Sequence, residues 1–320
     1  MASHYKQFDR TSLVLEPLAM RQHDLDLSVV RDIVAADSIS PDLRQVANDL
    51  VRARSKAAGI MMFGAHVIRS GVQRYIIDIM RRGYLTCLAT NGASAIHDYE
   101  LAMIGATTES VARYIQDGRF GLWRETGRLN DIITSSRVAG LGFGEAVGRE
   151  ILEGDYPHKD ISIFAEAYRL GIPVTVHVGM GHDIIHEHPN FDAAASGEMS
   201  YRDFLIFTEC LQKLSHGVIM NFGSQVMAPE IFLKGLAMVR NVSRHVDRRV
   251  EEFTTLVCDL HPLPQALGMV PTKDSPLYYF RPWKTMLVRT VTGKGHSYYV
   301  RGSHAETIPQ LWTALRDSTF

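Results

Sequence analysis

The sequence predicts an α/β protein, a doubly wound and mostly parallel sheet of Rossmann-like type preceded by a helical arm. Three observations predict it. From about residue 57 onward, short apolar runs alternate with amphipathic helical stretches, as strands buried on both faces and joined by crossover helices do. Loops rich in Gly, Asn, Ser and His follow several of these runs. The composition is that of an ordinary globular chain, 46% hydrophobic and 22% charged, and 320 residues can bury a core without staples.

Taken in order, residues 1–56 read as the helical arm and residues 57–320 as a single α/β domain. Ser40-Pro41-Asp42 suits a helix start, with Ser as N-cap, Pro at the first helical position and an acid by the positive end. Residues 59–63 predict a buried strand and 64–70 a loop. Val72, Tyr75, Ile76, Ile79 and Met80 then share one face of a helix. The unit repeats, with a strand at 84–90, a loop at 91–94 and a helix at 96–104. A helix ending near Leu170 is capped by Gly171 and leads into a strand at 174–178. Ser200-Tyr-Arg-Asp203 reads as a capped helix start. A strand at 217–222, a loop at 223–227 and a helix from Pro229-Glu230 follow. Further strands are expected at 253–257, 286–291 and 297–300, with a closing helix from Ala305.

Charge and cysteine content exclude several classes. Lys plus Arg total 34 against 35 Asp plus Glu, without the basic excess that neutralises nucleic-acid phosphates. The three cysteines are widely spaced with no CxxC, which argues against a disulfide framework or a thiolate zinc site. The amino terminus lacks a signal-peptide layout, and the longest apolar-rich stretch, 57–68, is too short to span a bilayer. The expectation is a cytoplasmic protein that binds neither nucleic acid nor membrane.

In such sheets ligands bind beyond the carboxyl ends of the strands. The residues to weigh there are Gly64, His66 and Ser70; Asn91, Gly92, Ser94, His97 and Asp98; His177, Gly179, Gly181, His182 and Asp183; Asn221, Gly223 and Ser224; Thr255 and Asp259. Small residues let backbone N–H groups approach a phosphate at a helix start, although βα turns need Gly, Asn and Ser for their own dihedrals. Gly140-Leu-Gly142-Phe-Gly144 follows no strand and is spaced wrongly for a dinucleotide fingerprint, so it reads as a packing turn. His182, Asp183, His186 and His188 could ligate a metal and activate water, which makes a metal-dependent hydrolase the alternative function. Arg281-Pro-Trp283-Lys284 offers a lysine that burial could turn into an imine-forming nucleophile, beside a Trp face suited to an alkylammonium group. Otherwise it is a surface lysine beside a core tryptophan. Cys87 and Cys258 read as core residues.

Several of these segments, in the same order, resemble the deoxyhypusine synthase family, in particular its bacterial deoxyhypusine-synthase-like branch. They are Phe63-Gly-Ala-His-Val-Ile-Arg-Ser-Gly71, Ala89-Thr-Asn-Gly-Ala-Ser-Ala-Ile-His-Asp98, Gly171-Ile-Pro-Val-Thr175, Gly223-Ser-Gln-Val226, Phe253-Thr-Thr255 through Asp259, and Ser303-His-Ala-Glu-Thr-Ile-Pro309. The resemblance implies an NAD-binding catalytic fold in a homotetramer, with sites at subunit interfaces. It implies oxidation of a polyamine or related amine to an imine, then transfer of the aminoalkyl unit. It further implies that Ser70, Thr90, Asn91, Gly92, Asp98, Gly223, Ser224, Thr255 and Ser303 line NAD, that Asp183 and Asp259 lie near ribose or substrate amine, and that Trp283 stacks on substrate. The family's Trp-Gly-Lys reads Trp283-Lys284-Thr285 here, so the lysine is displaced by one position. The acidic Gly/Ser-rich stretch that binds polyamine is replaced by residues 260–280, rich in Pro and Tyr.

The expected function is therefore an NAD-dependent transferase acting on a polyamine or guanidino-amine, with a small-molecule acceptor or cyclisation. Asp183, Asp259 and Trp283 would hold substrate, His97, His177 or His182 would move protons near neutral pH, and Lys284 would form an imine. A third reading is a non-catalytic NAD-binding or scaffold protein.

Overall fold

The computed structural model describes residues 4–245, 249–264, 267, 269–291 and 293–318; the outermost residues of the expected arm and domain lie outside them. Among the described residues eight strands and eleven α-helices follow in order: β1 (His23–Asp26), α1 (Pro41–Ala53), β2 (Gly59–Phe63), α2 (His66–Arg69), α3 (Gln73–Arg81), β3 (Cys87–Thr90), α4 (Gly92–Ile104), β4 (Ala106–Glu109), α5 (Val111–Tyr114), α6 (Arg128–Arg137), α7 (Phe143–Glu153), α8 (Ile163–Leu170), β5 (Val174–Val176), α9 (Ala193–Leu211), β6 (Val218–Phe222), α10 (Met227–Val242), β7 (Thr254–Asp259), β8 (His296–Arg301) and α11 (His304–Asp317). Six strands form one parallel sheet in the order β5-β3-β2-β6-β7-β8. Numbered by appearance, these run 3-2-1-4-5-6 across the sheet, the order of dinucleotide-binding domains. The α/β, mostly parallel fold is as the sequence predicts.

Local chemistry explains most elements. β2, β6 and β7 are buried throughout, hence their unbroken apolar runs. α1 begins with Ser40 as N-cap and Pro41 in the first turn, and α8 ends at Gly171 in the left-handed conformation, φ +67°. One core cluster lies between the sheet and α1, α3, α4, α7, α8 and α11, and a second lies beneath α9 and α10 on the other face. Gly144 packs α7 against β5; a Cβ there would sit 1.8 Å from the Val174 carbonyl oxygen. This is the packing role expected of that turn.

Several expectations need correction. Residues 4–39 are not helical but extended, with three-residue 3-10 turns. β1 pairs antiparallel with β4, more than eighty residues away. The expected loop at 64–70 contains α2, and the loop at 91–94 is the first turn of α4, because Asn91 accepts the Ser94 N–H and caps the helix. Ser200 and Asp203 do not open a helix. They lie mid-way along α9, whose N-cap is Asp192. Their side chains satisfy edge strand β5: Asp203 accepts the Val176 N–H at 2.7 Å, and Ser200 accepts the Val178 N–H and donates to the Val176 carbonyl. An uncovered edge would invite pairing with another chain. Residues 286–291 are not a strand either. Pro282–Arg289 form a wide π-type helix, closed by the Thr290 N–H on the Thr285 carbonyl, and Ser297 donates to Leu287 where β8 begins.

Candidate functional site

The strand order reverses between β2 and β6, so the crevice lies beyond their carboxyl ends. Two glycines line it. A Cβ on Gly64 would approach the Gly223 carbonyl at 3.2 Å, and one on Gly223 (φ +69°) would lie 2.4 Å from His304 Nε2. The β6–α10 turn is closed locally: Asn221 accepts the Ser224 N–H and donates to its carbonyl, and Ser224 Oγ accepts the Ala228 N–H. Asp259 ends β7, accepts the Leu260 and His261 N–H groups, and lies 3.5 Å from Gln225. His304 opens α11 after Ser303, whose capping box uses Glu306. Burial lowers the His304 pKa, Asp259 counters this, and His66 adds to it. His304 Nδ1 is buried without a hydrogen-bond partner.

Beside the crevice, across α2, lies a cavity of about 270 Å³, lined by Arg69, His97, Glu109, His182 and Asp183 with apolar Ile96 and Phe120. Arg69 Nη1 is 3.3 Å from His66 Nε2, linking the two spaces. Asp183, its side chain 8% exposed, reaches the amino end of α4. A Cβ on Gly92 would lie 2.1 Å from its Oδ2, so glycine makes room for the carboxylate. Burial raises Asp183 to about 6, opposed by His182 and by a hydrogen bond from the Ala93 amide. The anion expected at this helix start is thus supplied by the protein itself.

His97 is oriented by a relay. Its Nδ1 is 2.8 Å from Thr107 Oγ1, and Thr107 donates to Glu100 at 2.7 Å. With its only proton given to Glu100, Thr107 must accept from His97. Nδ1 therefore carries the ring proton and Nε2 is the free base. Glu100 is buried in a bidentate pair with Arg21, at 2.9 and 2.7 Å, and also accepts Thr126. Burial pushes Glu100 up, but Arg21 and the hydrogen bonds outweigh it, and the carboxylate stays ionised. Thr107, Glu100 and Arg21 escaped the sequence reading because their partners lie up to 79 residues apart in the chain.

Of the expected site residues, Gly92, His97, His182 and Asp183 gather at the cavity, and Gly223, Ser224, Asp259 and Ser303 at the crevice. Thr90 and Asn91 brace the β3–α4 turn, Thr90 donating to the Phe63 carbonyl with its Oγ1 2.5 Å from Ser94 Oγ, and Asn91 accepting the Ser94 N–H. Ser70 donates to Val67 within α2. Others turn elsewhere. Asp98 faces the start of α8, accepting from Ser162 and from the Ile163 N–H. Thr255 bonds to Ser297, near the opposite end of β7 from Asp259, about 13 Å away by strand rise. His177 is buried against Thr175 and edge-on to Phe207. Burial lowers His177 to about 3 and His97 to about 4, so neither changes charge near neutral pH as expected. Trp283 is a core residue donating to the Leu267 carbonyl. Lys284 is buried with Nζ 3.7 Å from the Tyr278 ring centre.

The histidine cluster does not converge. His186 Nδ1 accepts the Gly181 and Asp183 N–H groups, whereas His188 Nε2 bonds the Gly121 carbonyl. Among the described residues no three His, Cys, Asp or Glu side chains are placed to hold a metal.

No family model matches the sequence, and no curated protein matches it either. Solved structures do. ArgZ, an arginine dihydrolase of the cyanobacterial ornithine–ammonia cycle, is similar with TM-score 0.50 and 17% identity over 87% of this chain and 33% of its own. A putative LOR/SDH protein from Methanococcus maripaludis S2 gives 0.51 and 13% over 89% and 72%. A putative deoxyhypusine synthase from Entamoeba histolytica gives 0.47 and 8% over 88% and 89%, too slight a likeness to argue from. The chain spans about a third of ArgZ. The first two likenesses bear on the fold alone, and they agree with the topology described above. Among the described residues no helix is long and apolar enough to cross a membrane.

Proposed function

We propose that this chain is an NAD-dependent enzyme that oxidises a small-molecule amine transiently to an imine, followed by aminoalkyl transfer or cyclisation. The observation that carries the reading is the adjacency, across α2, of a switch-point crevice and a cavity whose wall includes the Asp183 carboxyl and the oriented neutral His97. Gly64, Gly223, Ser224, Ser303 and His304 would hold the cofactor: the Gly64 and Gly223 backbones come close together there, and His304 Nδ1 is an unused polar atom beside them. NAD there would supply a hydride acceptor. Asp183 holds the ammonium end, and His97 Nε2, which stays neutral, accepts a hydrogen bond from the amine because its other nitrogen is committed to Thr107.

The substrate class expected from the sequence is a polyamine or guanidino-amine. Arg69 in the cavity wall suits an amine that also bears an anionic group. The displaced Lys284 is not needed for this chemistry. The metal-hydrolase reading is set aside because its ligands point apart. A homotetramer with sites at subunit interfaces remains part of the proposal, to be checked by light scattering.

The test is to add amines and amino acids to protein with NAD⁺ and follow the reduced-nicotinamide absorbance band. A substrate gives a transient rise that Asp183→Asn abolishes. Cofactor binding without a response to any amine would support the scaffold reading instead.

A further inference from the structure

Cys87 and Cys210 are 123 positions apart, from their numbers in the chain, yet α9 packs on β3 and Cys210 packs against the core cluster that contains Cys87. Both are reduced. Cys87 is sealed in the core, its Sγ 3.6 Å from the Leu88 carbonyl oxygen. Cys210 is half-buried and opens into a cavity of about 420 Å³ at the amino ends of β2 and β3, opposite the crevice. That volume is within the range of small-ligand sites. Lys56 and Lys213 stand at its wall, with Glu209. The neighbouring Cys87 thiol, helped by Lys213, holds the Cys210 thiol below its ordinary pKa against the effects of burial and Glu209. Cys87 itself is pushed up. Reactive thiols are those with thiolate character and access, and here both belong to Cys210.

We propose that Cys210 is a thiol–disulfide exchange site for small anionic disulfides, with Cys87 as the resolving thiol that closes a bond between α9 and β3. In the first step the Cys210 thiolate attacks one sulfur of the incoming disulfide, forms a mixed disulfide and expels one thiolate. In the second, Cys87 loses its proton and attacks the Cys210 sulfur, expelling the other thiolate. Two protein thiols are oxidised by two electrons, and one external disulfide is reduced to two thiols. The lysines give the cavity wall its preference for carboxylate-bearing reagents. The site is independent of the crevice and of the chemistry proposed there.

The experiment treats the full chain with glutathione disulfide, and separately with uncharged 2-hydroxyethyl disulfide, followed by intact mass and peptide mapping. Wild type passes through one glutathionyl adduct on Cys210 to a form two hydrogens lighter, with Cys87 and Cys210 joined. Cys87→Ser, or Cys87→Ala should the serine variant not fold, stops at the adduct, and Cys210→Ser forms neither product. Lys56→Gln with Lys213→Gln slows the glutathione reaction several-fold and leaves the uncharged one unchanged. A wild-type adduct that never closes, or a Cys210→Ser protein reacting at the wild-type rate, overturns the proposal. Equal slowing with both reagents removes the anionic preference.

Discussion

At the scale of single residues, one buried carboxyl sets the pH behaviour of the fold and another that of the site. Asp203 is raised to about 7 by burial, despite accepting backbone N–H groups from Val176 and Gly144. The native carboxyl keeps its proton to about pH 7, while an unfolded one releases it near 3.8. The stability this proton contributes is therefore complete below about pH 4 and is lost as pH rises through about 7. Asp203→Asn removes the ionisation, so its stability relative to wild type, measured as urea midpoints, shifts in its favour between pH 5 and pH 8. Asp183, raised to about 6, must be ionised to hold an ammonium group. kcat/KM is expected to rise with pH through about 6 and then level, and Asp183→Asn to be slow and without that step. Thr107 is a positioning residue. Thr107→Val frees the His97 tautomer and should cost roughly ten- to a hundred-fold in kcat. Thr107→Ser restores the hydroxyl and most of the rate, which a merely structural role for the methyl group would not allow.

At the scale of elements, the strands that were legible are those buried on both faces. Residues 59–63 match β2, and 217–222 come within one residue of β6, because a continuous apolar run bounded by Gly has few other uses. The failures share a cause. His23–Asp26 alternates in burial but three of its four residues are polar, and it becomes a strand only because β4 is there to pair with. Met286-Leu-Val288 is apolar enough for a strand, but Pro282 and the Thr290–Thr285 bond wind it into a helix. The α4 start carries a test of its own. Gly92→Ala places a methyl where Asp183 now sits and should displace the carboxylate by about 1 Å, enough to cost on the order of a hundred-fold in kcat/KM. Circular dichroism should stay unchanged, because alanine favours the helix. Wild-type turnover by this variant would remove Asp183 from the mechanism.

For the whole molecule, the strand order makes the crevice, and the crevice makes a prediction about ligand. If it receives NAD⁺, cofactor at a hundred times its dissociation constant stabilises the fold by about 2.7 kcal/mol. Differential scanning calorimetry should then show a clear rise in Tm, and Gly223→Val, which puts a side chain against His304, should abolish it. No rise for wild type at millimolar NAD⁺ would end the cofactor assignment. The candidate loops were legible because small and polar residues after buried strands have a local cause, the dihedrals of βα turns. Which of them carry chemistry was not. Asp98 and Thr255 look like their neighbours in the sequence, yet one caps α8 and the other sits at the far end of its strand. By itself the chain determined the alternation of strands and helices and the apolar faces that make a covered parallel sheet, since periodicity and burial are properties of short segments. Only the tertiary structure decided that Asp183 fills the α4 start, that Arg21 and Glu100 orient His97 through Thr107, and that Cys87 meets Cys210. Contacts between distant residues depend on how elements pack, and no local pattern records them.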